Sequence, residues 1–169
     1  MGSEPALKRP VRVLAVSSGG GHWLQLCRLA PAWSGERLVT ACSAEGPPMP
    51  AAVLRHHRLR DATRWDRWGL LLLTLQVAWM VLRERPQLVV TTGAAPGLIT
   101  LVWSRLLGAH TVWIDSLANV RELSAAGRLA RWVAHDWLTQ WPHLAGSSLH
   151  GAPRIFGLHR HPQHRGSVW

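Results

Sequence analysis

VRVLAVSSGGGHWLQL, residues 11–26, decides the fold of this 169-residue chain. Its first half is an apolar run typical of a buried strand, and its second half has the composition of a helix. Between them stand Gly19, Gly20 and Gly21, followed by His22. A glycine turn from a strand into a helix presents free backbone amides and the positive end of the helix dipole, which suits a phosphate. We therefore predict an anion-binding loop here, with a glycine turn that binds nothing as the alternative.

Two familiar phosphate-binding motifs do not fit this stretch. A P-loop ends in Gly-Lys-Ser/Thr, whereas these glycines run into His-Trp-Leu. The dinucleotide fingerprint requires a last glycine where this chain has Leu24. His22 is either a packing residue at the helix start or, beside an anion, a group that exchanges a proton with the ligand.

The rest of the chain alternates between strands and helices in the same way. Strands are predicted over 11–17, 37–42, 87–92, 110–115 and 137–141, and helices over 22–33, 66–84, from the 93–98 turn to about 107, and 123–135. Apolar strands that alternate with helices indicate parallel βαβ units, so the fold class is α/β, a Rossmann-like doubly wound parallel sheet. We place one domain at 11–158, between a flexible start at 1–10 and a flexible basic tail at 159–169.

The composition indicates an anionic partner and excludes several classes of protein. There are 19 Lys and Arg against 9 Asp and Glu, a net charge of +10, and Lys8 is the only lysine. Arginine suits phosphate groups, so nucleic acid, a phosphorylated small molecule and an anionic membrane surface all remain open. Two cysteines are too few for a disulfide framework. The longest apolar run, 70–82, is too short to span a bilayer.

Metal binding is not predicted. The histidines near the carboxyl terminus, at 159, 161 and 164, have no cysteine or carboxylate beside them, which favours adventitious binding over a metal site.

Two other strand ends carry candidate site residues, because ligands of open α/β sheets bind beyond the carboxyl ends of the strands. The turn at 91–97 contains Gly93 and small neighbours that let a ligand come close; a tight turn is the alternative. The loop at 115–121 holds a carboxylate, a hydroxyl, an amide and a guanidinium, and an ordinary solvated loop is its alternative. These side chains are Asp115, Ser116, Asn119 and Arg121.

A basic, tryptophan-rich segment precedes the long helix predicted over 66–84. Tryptophan and arginine together are typical of a membrane interface, where rings lie at headgroup level and guanidinium groups meet lipid phosphate. A core helix with a basic solvated start is the alternative. The membrane-contact candidates are Arg55, Arg58, Arg60, Arg64, Trp65, Arg67 and Trp68.

Three blocks together resemble a known family. SSGGGHWLQL at 17–26, VVTTGAAPGL at 89–98 and WIDSLANVRELSAAGRLARWVAHDWLTQWPHL at 113–144 are similar, in this order and spacing, to the acceptor-binding subunit of two-part glycosyltransferases. The resemblance covers about 11–158. The last block is the most specific, and the positions that match the family pattern are Ser124, Gly127, Asp136, Gln140, Trp141 and Pro142.

The resemblance implies the amino-terminal half of a GT-B enzyme. By match to the related one-chain peptidoglycan N-acetylglucosaminyltransferase, His22 would be the candidate catalytic base. Asp115 stands where the family has Glu; since Asp is one methylene shorter, its structural role is more secure than a catalytic one. Residues Gln140 and Trp141 would lie at the interface with the partner. Residues that would bind the acceptor and its diphosphate are Ser18, Gly19, Gly20, Gly21, Gly93, Ser116, Asn119 and Arg121.

The function implied by the resemblance is sugar transfer from a UDP-sugar to a polyprenyl-diphosphate-linked acceptor. The eukaryotic member adds the second N-acetylglucosamine in asparagine-linked glycosylation, and bacterial relatives serve exopolysaccharide assembly. A small second subunit would bind the UDP-sugar, so no cofactor is expected on this chain. The chain would lie peripherally on the cytoplasmic face of a membrane, by implication the bacterial inner membrane.

Two rivals from other classes are a non-catalytic membrane scaffold that recruits a glycosyltransferase and a basic nucleic-acid-binding protein. The second is disfavoured, because the basic residues adjoin Trp-rich apolar sequence instead of forming a Lys/Arg groove.

Overall fold

The computed structural model describes residues 9–63 and 65–145, and the backbone of residues 154–155. The predicted tail at 159–169, the first eight residues and Arg64 lie outside these ranges. The strands are β1 Arg12–Ser17, β2 Arg37–Cys42, β3 Val53–Arg58, β4 Leu88–Thr91, β5 His110–Ile114, β6 Asp136–Thr139 and β7 Arg154–Ile155. The α-helices are α1 Gly21–Arg28, α2 Arg67–Glu84, α3 Ala94–Leu106 and α4 Ala125–Ala130, and short 3-10 helices span Ala30–Trp33 and Pro142–Leu144.

The strands form one parallel sheet with the order β3-β2-β1-β4-β5-β6-β7. From β1 the chain winds outward to β2 and β3, then returns to place β4 on the other side of β1. The order therefore reverses between β1 and β4. This topology confirms the predicted Rossmann-like doubly wound fold, and its switch point is where such sheets bind ligands.

Helices cover both faces of the sheet, as the alternation of side chains along β1 shows. Leu14 and Val16 belong to a core that includes Leu73 and Val77 of α2. Their neighbours along the strand point the other way and belong to a second core, which Trp23 and Leu26 of α1 complete. A strand buried on both faces loses its polar–apolar alternation, which explains the continuous apolar run in the sequence.

Two helices are shorter than the sequence predicts. The helix predicted over 22–33 ends at Arg28, because Pro31 has no amide to donate to the carbonyl of Cys27. The helix predicted over 123–135 is only α4, since the chain must turn back into the sheet: Thr111 Oγ1 donates to the carbonyl of Val133 at 2.8 Å. Tertiary hydrogen bonds decide the second boundary.

Strand β3 is absent from the sequence prediction, which treated its residues only as part of a basic segment. Its sequence, VLRHHR, has no apolar alternation, and it is paired with β2 alone among the described strands. Its side chains are exposed or half-buried, and the register with β2 shifts between Leu38 and Val39. An edge strand with so little buried surface leaves no apolar pattern to detect. The two-residue β7 was also not predicted.

Helix α2 has an apolar surface on both sides. Asp66 caps its start by accepting a hydrogen bond from the amide of Gly69 at 2.8 Å, and Arg85 ends it in the left-handed region, with φ 45°. Its inner side is core, but its outer side bears an exposed apolar stripe at spacings of three and four residues. The members of this outer stripe are Trp68, Leu72, Leu75, Trp79 and Leu82. Among the described helices, none combines the length and hydrophobicity that a membrane span requires.

Candidate functional site

The glycine loop and the turn after β4 lie side by side at the switch point. β1 ends at Ser17 and β4 at Thr91, and the two strands are paired, with Val16 opposite Thr91. The predicted anion-binding loop at 18–21 therefore faces the turn that contains Gly93. Two segments 70 residues apart in sequence form one site.

The three glycines of the loop have different structural roles. A Cβ on Gly19 would lie 2.3 Å from Cβ of Ala44, so only glycine permits this approach. Gly20 has φ +64°, and added Cβ atoms on Gly20 and Gly21 would meet nothing within 4 Å. No side chain caps the start of α1, so its first amides have no side-chain acceptor. Uncapped amides at a helix amino terminus with open space beside them are features that suit an anion.

His22 is held from both ends by Thr92. The Nδ1 atom of His22 lies 2.8 Å from the carbonyl oxygen of Thr92, and Thr92 Oγ1 donates to the carbonyl of His22 at 2.7 Å. Because a carbonyl oxygen only accepts, Nδ1 carries the proton and the lone pair of the neutral ring is on Nε2. The half-buried ring is thus set in the tautomer that accepts a proton at Nε2.

Gly93 makes room for that ring. Its φ is +136°, in the region that favours glycine, and an added Cβ would lie 2.7 Å from Cε1 of His22. The predicted site residue Gly93 therefore acts through backbone conformation and space.

Asp115 lies at the end of β5 and is 1% exposed. Its carboxylate accepts hydrogen bonds from Ser124 Oγ at 2.9 Å, Asn119 Nδ2 at 3.1 Å and Trp113 Nε1 at 3.2 Å. The amide of Ser124 contributes a longer contact of 3.4 Å, and Ser124 in turn caps α4 through the amide of Gly127. Both carboxylate oxygens are engaged inside the protein, a geometry suited to organising the 116–124 loop.

The other predicted residues of this loop divide by exposure. Ser116 is 8% exposed and its Oγ accepts from the amide of Ala118 at 3.2 Å, while Asn119 is tied to Asp115. Arg121 is exposed to solvent. Of the loop's predicted ligand-binding side chains, Arg121 is the one placed to meet a large anion in solvent.

Gln25 connects the glycine-loop helix to the Asp115 loop and was not singled out from the sequence. It is 5% exposed; its Nε2 donates to the carbonyl of Asp115 at 3.3 Å, and its Oε1 accepts from the amide of Leu117 at 3.2 Å. A buried amide on the inner side of α1 was the only available signal, three residues after His22 in HWLQL.

The predicted partner-interface residues lie at the same edge of the sheet. Trp141 Nε1 donates to the carbonyl of Leu117 at 3.2 Å, so this half-buried ring supports the Asp115 loop. Gln140 is also half-buried. Their contact with another subunit stays a prediction.

The predicted membrane-contact residues do not form one cluster. Arg55 and Arg58 lie on β3 and are paired, with Glu84 at 2.6 Å and with Glu45 at 2.7 Å. Burial acts to raise the pKa of Glu84, but hydrogen bonds from Arg55 and His57 outweigh it and lower that pKa below its usual value. Arg60 lies beside the middle of α2, where its amide donates to Gln76 Oε1 at 2.8 Å. Trp65, Arg67 and Trp68 lie around the start of α2, where the two tryptophans are 80% and 77% exposed.

Among the described residues, no group of three histidine, cysteine, aspartate or glutamate side chains could hold a metal ion. The three histidines at 159, 161 and 164 lie outside the described residues.

A family model described as "Oligosaccharide biosynthesis protein Alg14 like" matches residues 52–152. The UDP-N-acetylglucosamine transferase subunit ALG14 of Eremothecium gossypii is 36% identical over 70 residues, which cover 38% of this chain and 31% of that protein. The chain thus spans about a third of that curated relative.

Solved structures share the fold at low sequence identity. MurG of Acinetobacter baumannii superposes with a TM-score of 0.63 at 14% identity, over 84% of this chain and 46% of MurG. A UDP-N-acetylglucosamine 2-epimerase described for Listeria monocytogenes gives 0.59 at 6% identity, over 78% and 40% of the two chains. The epimerase of Methanocaldococcus jannaschii gives 0.52 at 11% identity, over 75% and 38%.

Proposed function

The chain belongs to the Alg14-like family of oligosaccharide biosynthesis proteins, and from this premise we propose that it is the acceptor-binding subunit of a glycosyltransferase. The sugar passes from a UDP-sugar to a saccharide linked to a polyprenyl diphosphate. The ALG14 relative is named as a UDP-N-acetylglucosamine transferase subunit, which supports a shared enzyme and makes that donor the first to test.

The observation that carries the proposal is the anchored His22 beside the open glycine loop. Thr92 fixes Nδ1 of the ring as a donor, so Nε2 is the atom available to a ligand. Free amides of α1 lie next to it, and the space over Gly20 and Gly21 is empty of protein atoms within 4 Å of an added Cβ. A ligand that carries both a diphosphate and a reacting hydroxyl matches this pair of features.

The mechanism follows from these positions. The acceptor's diphosphate binds the amides of the glycine loop, which places the sugar hydroxyl near His22. Nε2 takes the hydroxyl proton as the oxygen attacks the anomeric carbon of the donor. The bond from that carbon to UDP breaks, UDP leaves with the electron pair, and the configuration at carbon inverts. No covalent enzyme intermediate forms.

The donor-binding half is supplied by a second, nucleotide-sugar-binding polypeptide in this proposal. The word "subunit" in the name of the ALG14 relative supports this division. Residues Gln140 and Trp141, beside the Asp115 loop that Gln25 joins to α1, are the proposed contact with that polypeptide. The acceptor and the donor would then meet and react in the cleft between the two chains.

The apolar stripe of α2 is the proposed membrane surface. Trp68 begins the stripe and Arg60 and Arg67 lie near it, so rings could enter the headgroup layer while guanidinium groups meet lipid phosphate. Arg55 and Arg58 contribute less, because each is engaged by a carboxylate. The chain is thereby proposed to be peripheral, on the cytoplasmic face of the bacterial inner membrane.

The test is transfer of labelled sugar from UDP-N-acetylglucosamine, and from a panel of other UDP-sugars, to a polyprenyl-diphosphate-linked acceptor. This chain is co-produced with its donor-binding partner. His22→Ala should lower kcat by roughly 10²–10⁴-fold, the usual contribution of a general base. Full activity of His22→Ala would refute the base assignment, and full activity of this chain alone would refute the second subunit.

A variant that fills the loop separates an acceptor site from a scaffold. Gly21→Leu places a side chain in open space without strain, since Gly21 has an ordinary φ and no protein atom nearby. It should fold normally and lose acceptor binding, seen as a raised KM. Arg28→Leu, at the exposed far end of α1, is the control. A scaffold would tolerate both changes equally.

A further inference from the structure

A cavity of about 550 Å³ lies beside the glycine loop, between α1 and the β2–β3 connection. This volume falls within the roughly 300–1,000 Å³ typical of small-molecule sites. Trp23 of α1 and Met49 of the connection line it, together with Thr40 on β2 and Val53, His56 and Arg58 on β3. Neither the predicted diphosphate site nor the catalytic assignment uses this cavity.

The cavity shares a wall with the loop proposed to hold the diphosphate. Ala44 lines the cavity and stands so close to Gly19 that an added Cβ there would lie 2.3 Å away. On the opposite side of the loop, His22 contacts Thr92 and Gly93 at the end of β4. Along the sheet edge the order is therefore cavity at β2 and β3, glycine loop at β1, and His22 toward β4.

The cavity offers an apolar lining in which polar groups are already engaged. Trp23 Nε1 donates to the carbonyl of Pro47 at 2.7 Å, and Thr40 Oγ1 lies 2.8 Å from Nδ1 of His56. At the rim, Arg58 is paired with Glu45 at 2.7 Å. A saccharide needs donors and acceptors for its hydroxyl groups, whereas this lining of Trp, Met, Val, Ala and Pro suits a hydrocarbon.

We infer that this cavity binds the first isoprene units of the polyprenyl chain, next to the diphosphate. The inference rests on the proposed function, because the diphosphate on the glycine loop is what brings the lipid to the cavity. The ligand's linear order, isoprenoid, diphosphate and sugar, then matches the order of cavity, loop and His22 along the sheet edge.

The position of the cavity also gives the lipid a route to the membrane. Arg58 lines the cavity at the end of β3, which is an edge strand among the described residues. The chain continues from there to Arg60 and to the exposed Trp65 and Trp68 at the start of the α2 stripe. Isoprene units beyond the cavity would pass this rim toward the proposed membrane surface.

The experiment compares binding of inorganic diphosphate and geranyl diphosphate to the full 169-residue chain by titration calorimetry. Each methylene group moved from water to an apolar site strengthens binding by roughly fourfold. Geranyl diphosphate should therefore bind at least about tenfold more tightly than inorganic diphosphate. Ala51→Trp, which fills the cavity, should remove this advantage and leave inorganic diphosphate binding unchanged. Ala52→Trp, at the exposed next position, is the matched control and should keep the advantage.

The outcomes separate this inference from the proposed function. Equal binding of the two diphosphates to the wild-type chain overturns the isoprenoid site while leaving the diphosphate loop intact. If the wild-type chain binds neither inorganic diphosphate nor geranyl diphosphate, the proposed function is overturned and this inference with it. Tighter binding of lipid-free N-acetylglucosaminyl diphosphate, abolished by Ala51→Trp, would assign the cavity to the saccharide instead.

A second measurement uses only the wild-type chain, so its result does not depend on whether a variant folds. Wild-type chain is irradiated with a diazirine-bearing geranyl diphosphate, and the labelled peptides are identified by mass spectrometry. Labelling of the peptide that contains Met49 and Val53, competed by unlabelled geranyl diphosphate, is the expected result. Labelling confined to the α2 stripe would overturn the cavity assignment.

Discussion

His22 and Thr92 exchange two hydrogen bonds across the junction of β1 and β4, at 2.8 Å and 2.7 Å. The carbonyl of Thr92 accepts from the ring of His22, and the hydroxyl of Thr92 donates to the carbonyl of His22. Thr92 therefore holds both the side chain and the main chain of His22. The ring's orientation is therefore set by the junction of two neighbouring strands, since Thr92 directly follows β4 and His22 lies in the first turn of α1, which the glycine loop joins to β1.

Thr92→Val separates these two bonds. The variant loses the hydroxyl bond but keeps the carbonyl that fixes the tautomer, so kcat should fall by less than about tenfold. The free energy of unfolding should fall by about 1 kcal/mol, the usual worth of one hydrogen bond. Urea unfolding measures the change in the free energy of unfolding, and sugar-transfer kinetics of the two-chain enzyme measure the change in kcat. A loss of activity as large as that of His22→Ala would contradict this division of roles.

Gly93→Ala should disturb the site more than the addition of one methyl group would elsewhere. The new Cβ would lie 2.7 Å from Cε1 of His22, on a residue with φ +136°. We expect a loss of roughly 1–3 kcal/mol in stability from the strained backbone and a fall in kcat of about tenfold or more, because the ring must move. Gly21→Ala is the control for stability, since its Cβ meets nothing within 4 Å. Equal stability of the two variants would show that the Gly93 conformation is not required.

Asp115→Ala should act mainly on stability. The substitution leaves the buried donors of Ser124, Asn119 and Trp113 without their acceptor, a cost of about 1–3 kcal/mol. Asp115→Asn keeps the shape but sets an amide group against the same donors, so it should also destabilise the fold, and activity at low temperature should be largely retained. Thermal unfolding and kinetics at two temperatures test this. A folded Asp115→Asn protein with a 10³-fold lower kcat, a loss on the order of one general acid or base, would indicate direct catalysis.

Trp68→Gln should weaken binding to anionic vesicles. Trp68 is 77% exposed at the start of the α2 stripe, and loss of its ring from the lipid interface should reduce the partition coefficient by roughly tenfold. Sedimentation with vesicles that contain phosphatidylglycerol measures it. Leu54→Gln on β3, where Leu54 is 63% exposed, is the control. Equal effects of both changes would show that the α2 stripe is not the contact surface.

Stability should fall as the solution is acidified, in part through His135. Its Nδ1 accepts a hydrogen bond from the amide of Thr111 at 3.1 Å, which a ring protonated at that atom cannot do. Burial, with the charges of Arg105 and His110, lowers the pKa of His135 below its usual value of 6.5. The folded state thus resists protonation, so the contribution is complete above about pH 6.5 and is lost as the pH falls toward the folded-state pKa.

The measurement is urea unfolding at about pH 7.5 and about pH 5.5, in the wild type and in His135→Asn. Because the ring is exposed and screened, the pH-dependent loss should stay below about 1 kcal/mol, and the variant should show a smaller one. His56, whose pKa burial and the nearby His57 and Arg58 also lower, contributes to both proteins alike. An identical pH dependence of the free energy of unfolding in the wild type and in His135→Asn would rule out His135 as a source of the loss in acid.

Much of the fold could be predicted because its central strands are buried on both faces. β1 and β4 carry continuous apolar runs, and Asp66, Arg85 and Pro86 set the limits of α2 through capping, backbone and proline effects that act locally. β3 escaped prediction for the opposite reason: its charged, exposed residues hold their place only through pairing with β2, which composition does not encode.

The candidate site divides in the same way. The glycine loop and His22 were predicted because strand, glycines and helix follow one another along the chain. The partners that give His22 its tautomer and Asp115 its burial come from segments far away in sequence, so no local pattern could identify them. The same holds for Gln25, whose bonds to the Asp115 loop depend on how α1 lies on the sheet.

The sequence by itself determined that this protein is a doubly wound α/β domain with a glycine loop between β1 and α1 and a basic, Trp-rich segment, because these properties follow from local spacing and composition. The tertiary structure alone decided that Arg55 and Arg58 are engaged by carboxylates and that one side of α2 is an exposed apolar stripe. It also decided that a cavity lies against the glycine loop. Each of these depends on which surfaces the packed sheet buries and which it leaves open, and that is fixed only when distant segments meet.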